Sequence, residues 1–316
     1  MTRADATASG LLAAIGVGVF AGLAPTAAMA GRYLLVAAVV GAALAALGTM
    51  ITGAAGAANP TGRLGATADA AQLLARVATI AALASCFGDY ALPGRPLFAT
   101  LAVLVFVTAA HALDLRPPPI VIRAGLLFTL VVLVMLVAVC AAIPAPPPTG
   151  APVPSGIPGA DDLAGILPAT GVMLVAFLGV RTEARRPTVA LIGLAAVLAA
   201  GWAALDQLGP IRLALSPTPL WDTLSTAESA ALNPLMTVGV LVGTLLAISV
   251  LLRDATETVP RKTGRPPAVL IGLAAALVAW LAGPTIALEC AAGAVVVRYA
   301  LVTLSAGLAR RPGGNV

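Results

Sequence analysis

The sequence has few of the residues on which soluble enzymes, metal sites and nucleic-acid binding depend. Only 10% of its 316 residues are charged and 4% are aromatic, and the chain contains a single histidine. One histidine cannot supply a His-rich metal site or a bis-His haem, and the basic residues form no stripe interleaved with stacking aromatics. Cys86, Cys140 and Cys290 lie in or beside apolar stretches without metal-ligand spacing. We therefore expect no metal, no cofactor and no nucleic-acid partner.

Catalytic motifs are missing as well. The chain has no H-E-x-x-H, G-x-S-x-G or P-loop pattern, and no aspartate-rich motif that binds a prenyl diphosphate through magnesium. Isolated Ser and Asp residues have no partner in a recognisable catalytic arrangement. The sequence therefore predicts a protein that is not an enzyme and has no catalytic residue.

Apolar residues are abundant instead, at 60% of the chain before its 32 glycines are counted. A transmembrane helix needs about 20 predominantly apolar residues, and ten segments come close to that length. They are Leu11 to Ala30, Tyr33 to Ala55, Ala68 to Leu92, Leu97 to Leu113, Ala124 to Ile143, Leu163 to Val180, Thr188 to Leu205, Ala230 to Leu252, Ala268 to Leu288 and Ala291 to Leu308. We predict an all-α polytopic membrane protein with ten transmembrane helices, the last two joined by a tight hairpin at Glu289 and Cys290.

The basic residues predict the orientation of these helices. Of the 18 Lys and Arg residues, Arg76 and Arg298 lie inside helices, and Arg32, Arg95 and Arg212 lie in connections on one side. The other thirteen lie in connections on the opposite side. Because basic residues are retained on the cytoplasmic side, we expect a multi-pass protein of the cytoplasmic membrane with both termini inside the cell.

We expect a single membrane domain over residues 1–316, since no soluble domain is long enough to recognise. Its first half covers about 10–143, a Pro-rich outer loop covers 144–162, and its second half covers about 163–309. A signal peptide is an alternative for the N-terminus, with an apolar core at Leu11 to Leu23 and Ala28-Met29-Ala30 as a cleavage site.

The first helix is interrupted by residues that disfavour continuous helix. Gly16-Val17-Gly18-Val19-Phe20 is followed by Gly22 and Pro25. A break here would expose backbone N–H groups that can hold a carboxylate without a charged side chain. Close packing against neighbouring helices is the alternative, because small residues are common at helix contacts in membranes.

The sixth helix has a comparable run at Ala176-Phe177-Leu178-Gly179. It comes five helices after the first, so the two glycine-containing helices would run in opposite directions. That is the relation expected of a five-plus-five inverted repeat with broken helices 1 and 6 and a site between its halves.

These motifs resemble the amino acid/polyamine/organocation superfamily of amino acid permeases. Gly16 to Phe20 resembles the G-x-G-I-F signature of its first helix, and Asn59-Pro60-Thr61-Gly62 a shortened form of the turn after its second helix. Ala176 to Gly179 with Glu183 to Pro187 resembles its F-x-G-F and E-x-x-N-P run. The similarity continues through Arg253-Asp254, which matches the loop after helix eight, to the end of helix ten.

The resemblance implies a secondary active transporter of amino acids or related small amines, with alternating access and proton or sodium coupling. The first-helix break would bind the carboxylate and the sixth-helix break the ammonium group. The residues that flank these breaks are Gly16, Val17, Gly18, Phe20, Phe177 and Gly179. Val17 is bulkier than the usual residue, and the fifth-helix lysine of proton-coupled members is missing near Thr129. A transport-inactive receptor or partner subunit is therefore the alternative, and the oligomeric state stays open.

Ionisable residues inside the predicted membrane are a separate signal, because a charge facing hydrocarbon costs several kcal/mol unless it is paired or functional. Arg298, Glu289 and Arg76 are the candidates for coupling or gating. For Arg298 the alternative is a structural ion pair with Asp89, Asp206 or Glu289, and for Arg76 it is snorkelling to the membrane surface.

Overall fold

The computed structural model describes residues 3–54, 62–115, 117–145, 163–178, 187–258 and 267–309. Its α-helices are α1 (Arg3–Ile15), α2 (Leu23–Ala30), α3 (Leu34–Ala54), α4 (Gly62–Ala91), α5 (Pro96–Ala112), α6 (Pro119–Ala142), α7 (Ile166–Leu178), α8 (Pro187–Leu215), α9 (Pro219–Thr226), α10 (Asn233–Thr258) and α11 (Pro267–Ala309). A π-helical segment, Gly16–Ala21, joins α1 to α2, and short 3-10 turns occur at Gly31–Tyr33, Leu163–Gly165 and Ala230–Leu232. These described residues contain no β-strand.

Seven helices in the described ranges are long and apolar enough to cross a membrane, and α5 and α7 are shorter apolar helices. Large apolar side chains also lie on the outer surface, where Phe98, Phe106 and Trp280 are each more than 60% exposed. Such a surface is stable only against lipid or another apolar partner. The protein is an all-helical, multi-pass membrane protein.

The hairpin predicted at Glu289 and Cys290 is wrong. Both residues lie inside α11, and the backbone leaves helical geometry instead at Gly283, where φ is 65° and ψ is 174°. Gly283 adopts a positive φ at no steric cost, and the following Pro284 has no N–H to continue the helix. Gly209 and Pro210 interrupt α8 in the same way, with φ 71° and ψ 167°.

The first helix lies in the middle of the helical bundle. Leu12, Ile15 and Leu23 are fully buried, and α1 contacts α6, α8 and α10 while α2 contacts α7 and α8. The segment that the signal-peptide alternative would remove therefore supplies side chains to the core.

Candidate functional site

The centre of the site is the π-helical segment Gly16–Ala21, in which every residue is buried. The sequence predicts an interruption here, and the structure has one, but as a change of helix type. The chain passes from α-helix to π-helix and back to α-helix without an unwound turn. Single π-helical turns are rare, and they frequently occur at functional sites because they displace backbone groups from the regular ladder.

Four helices converge on the two glycines of this segment. A Cβ atom built on Gly16 would lie 2.9 Å from Cβ of Ala247 in α10 and 3.4 Å from Leu83 in α4. One built on Gly18 would lie 2.7 Å from Val197 in α8 and 3.3 Å from Ala176 in α7. In this conformation the glycines serve close helix packing, which was the alternative to a substrate contact.

Phe20 lies on the α10 side of the segment. Its ring occupies the space beside Gly243, where a Cβ atom would lie 2.6 Å from Phe20 Cε2 and 3.1 Å from Thr129 Oγ1. The buried Thr129 hydroxyl has no hydrogen-bond partner among the described residues. The Phe20 carbonyl accepts a hydrogen bond from Cys86 Sγ at 3.3 Å. Polar groups of α4 and α6 therefore lie around this end of the π segment.

Phe177 lies elsewhere, half-buried in α7. A Cβ atom on Gly193 of α8 would lie 3.7 Å from Phe177 Cε1 and 3.3 Å from Ala14. Phe20 and Phe177 thus have their glycine neighbours on different helices, α10 and α8. Gly179 lies outside the described residues.

Arg76 does not extend to the membrane surface as the snorkelling alternative expects. It is 3% exposed, and its Nη2 atom lies 2.5 Å from Oδ2 of Asp254. Its Nη1 also donates a hydrogen bond to the Asp254 carbonyl oxygen at 2.9 Å. Sequence reasoning missed Asp254 because it assigned this residue to a loop, whereas α10 continues to Thr258. The pair joins α4 to α10.

Arg298 and Glu289 are not brought together. They are nine residues apart in α11, which places them about 13 Å apart along the axis and on opposite faces of the helix. Glu289 is exposed, whereas Arg298 is half-buried and lines a small cavity with Gln72, Arg76 and Tyr299.

A second ion pair closes the same end of the bundle. Arg123, at the start of α6, donates from Nε to Oδ1 of Asp5 at 2.9 Å, and its Nη2 lies 2.7 Å from the same oxygen. The Asp5 side chain is buried while the Arg123 side chain is half exposed. The sequence gave no signal for this contact because the two residues are 118 positions apart.

The opposite end of the bundle is covered by the short helix α9. Tyr90, at the end of α4, accepts a hydrogen bond from the backbone N–H of Leu220 at 3.0 Å. That N–H belongs to the first turn of α9 and has no partner within its own helix. Gln207 of α8 donates to the carbonyl oxygen of Ile143 at 3.0 Å, beside the same helix. Both ends of the bundle are therefore closed.

The Tyr90 contact gives a testable prediction. In Tyr90→Phe the buried Leu220 N–H loses its acceptor, and an unsatisfied buried donor costs about 1–3 kcal/mol. We expect a lower melting temperature for the purified protein. Tyr33→Phe is the matched control, since the Tyr33 hydroxyl accepts only an exposed hydrogen bond from Arg32, and it should melt like the original protein. Equal melting of both variants would show that Tyr90 does not hold α9.

Comparisons with known proteins give a distant similarity to transporters. The chain is 28% identical over 284 residues to an uncharacterized transporter of Mycobacterium bovis and to uncharacterized transporters of two Mycobacterium tuberculosis strains. The alignment covers 80% of this chain but only 63% of each relative, so the chain spans less than two thirds of their length. No protein-family model matches the chain.

Proposed function

We propose that the protein is a secondary active transporter of amino acids or related small amines in the cytoplasmic membrane. The observation that carries this proposal is the glycine-containing π segment at the point where α4, α7, α8 and α10 meet. The motif resemblance and the transporter names of the relatives support it.

The helix lengths are consistent with ten crossings. At 1.5 Å per residue, the 43 residues of α11 would extend about 65 Å, twice the roughly 30 Å of a bilayer core. We therefore divide α11 at Gly283 into two crossings, over 267–282 and 284–309. Together with α5 and α7 this raises the seven long candidate spans to ten.

The pattern of helix contacts supports a five-plus-five repeat. We number the ten crossings in chain order, so that α1 and α2 form the first and α11 the ninth and tenth. An inverted repeat relates each crossing to the one five places later. The contact of α3 with α7 then corresponds to that of α8 with α2, and the contact of α1 with α6 to that of α7 with α11. The contact of α4 with α5 corresponds to that of α10 with α11.

In this proposal Gly16, Val17, Gly18 and Phe20 bind the substrate carboxylate end, and Phe177 with Gly179 closes the ammonium end. Backbone N–H groups at a helix interruption hold an anion without a charged side chain. Access would alternate by opening the end held by Asp5 and Arg123 and the end covered by α9. By the charge pattern of the connections, the first of these ends faces the cytoplasm.

A transport-inactive receptor or partner subunit is the second candidate, and one observation favours it. The close approach of Ala247 and Val197 to the two glycines, together with the buried Val17 side chain, fills the space that a carboxylate would need. On this reading the permease fold is kept for assembly rather than for transport.

A ligand screen separates the two candidates. The melting temperature of the detergent-purified protein is measured with each proteinogenic amino acid and with common polyamines, because a ligand bound only by the folded state raises it. A transporter should show a reproducible shift with one substrate class, followed by uptake into liposomes under a proton or sodium gradient.

Val17→Ser sharpens this test. If Val17 crowds the carboxylate, the variant should bind the substrate at least several-fold more tightly in the same melting assay. Val19→Ser is the matched control, since Val19 is also buried in the π segment but is not a predicted substrate contact. No shift for either variant or for the original chain, in samples that melt cooperatively, would contradict transport and support the partner-subunit reading.

A further inference from the structure

A small polar cavity lies between α4, α7 and α11, away from the π segment. Gln72, Arg76, Arg298 and Tyr299 line its polar wall, while Val175 and Val295 are among the apolar residues around it. Its volume is about 20 Å³, and a cavity needs roughly 10–15 Å³ to hold a water molecule. It therefore accommodates one water-sized atom or a small group, and a tetrahedral oxyanion is too large.

The charge of this wall is positive. Two arginines line the cavity, and none of its described lining residues is acidic. Asp254 is bound to Arg76 but does not line the cavity, so it fixes the position of the guanidinium group. A guanidinium group carries N–H donors and no acceptor, and electrostatic attraction is strong where water is excluded. The wall repels a cation and attracts an anion.

Gln72 provides a second and independent observation. Its side chain is 6% exposed, and its Oε1 atom has no hydrogen-bond partner among the described residues. Buried polar atoms in proteins are nearly always hydrogen-bonded, so this amide needs a partner inside the cavity. Rotation of the amide exchanges its oxygen and nitrogen atoms, so the same side chain can donate N–H groups to an anion.

We propose that this cavity binds one small monovalent anionic group, either a halide ion or the carboxylate of a small organic acid. The ligand would be held by Arg76 and Arg298, with N–H donation from Gln72. The site uses none of the residues proposed for substrate binding in the π segment. It is therefore a binding property that stands or falls separately from transport.

The test measures the melting temperature of the full-length protein in detergent at constant ionic strength, with sodium chloride or sodium acetate added. General salt effects on stability act on every variant alike, so each variant is compared with the original chain in the same salt. We expect a saturable rise of about 3 °C or more at ten times the dissociation constant. A rise with chloride alone identifies a halide site, a rise with acetate alone identifies a carboxylate site, and competition between the two identifies a shared one.

Two variants connect the response to the cavity. Arg298→Gln should weaken anion binding at least tenfold, whereas Arg95→Gln, which removes an exposed arginine elsewhere, should leave it unchanged. Gln72→Glu places a carboxylate in the cavity itself, so it should abolish the response to added anions in a protein that still folds. Absence of a saturable shift in the original chain, or a full response in Gln72→Glu, would overturn the proposal and leave a water-filled cavity. Because the readout is binding, a failure of transport does not affect it.

Discussion

Asp254→Asn should destabilise the protein more than any other single change considered for this chain. The substitution preserves shape but removes the negative charge, so the Arg76 guanidinium is left buried without its carboxylate partner. Removing one partner of a buried ion pair costs about 3–5 kcal/mol. For a protein of this size we expect the melting temperature to fall by roughly 6 °C or more, measured on the purified protein in detergent.

Two controls show whether the effect comes from the buried charge. Glu257→Gln breaks the exposed pair between Arg253 and Glu257 one turn further along the same helix, and exposed pairs contribute little. The double variant Arg76→Met with Asp254→Leu removes both charges and should recover much of the loss, because a buried pair can often be replaced by apolar residues. An unchanged melting temperature in Asp254→Asn would mean that Arg76 does not depend on this carboxylate.

Gly88→Ala should give the second large effect. A Cβ atom on Gly88 would clash with the carbonyl oxygen of Pro96 and with the hydroxyl of Thr100, where α4 packs against α5. A backbone carbonyl cannot turn aside as a flexible side chain does, so the two helices must separate. Inserting a methyl group into a well-packed contact costs about 1–3 kcal/mol, and we expect a corresponding fall in melting temperature.

Gly94→Ala is the matched control in the same hairpin. A Cβ atom at Gly94 meets nothing within 4 Å, and reducing the freedom of the unfolded chain makes such a change neutral or slightly stabilising where the backbone permits. Equal melting temperatures for the two variants would show that α4 and α5 do not approach each other at Gly88.

Local composition and periodicity were sufficient to predict where most helices lie. The predicted segment from Leu97 to Leu113 corresponds to α5 at Pro96–Ala112, and that from Tyr33 to Ala55 corresponds to α3 at Leu34–Ala54. This works because a bilayer imposes the same requirement on every crossing, namely about 20 apolar residues with internally satisfied backbone groups. Each segment meets this requirement by itself.

Position along the chain was less well predicted where polar and special residues compete. Glu289 was taken as the end of a helix because it is charged, but the backbone turns at Gly283, before Pro284. A single carboxylate at the surface of a helix is tolerated, whereas a proline removes a hydrogen bond and clashes with the preceding turn. Backbone chemistry therefore outweighs polarity in deciding where a helix ends.

The contacts of the candidate site depended on the tertiary structure. The sequence identified the glycines of the first helix and the membrane-embedded arginines, yet it could not determine what they touch. Asp254 is 178 residues from Arg76, and Ala247 lies far along the chain from Gly16. Hydrophobicity and helix propensity act within a few turns of one helix, whereas an ion pair or a glycine contact depends on the distance between two helices. That distance is fixed only when all the helices pack together, and it made the first-helix interruption a tightly packed π segment and Arg76 a buried member of an ion pair.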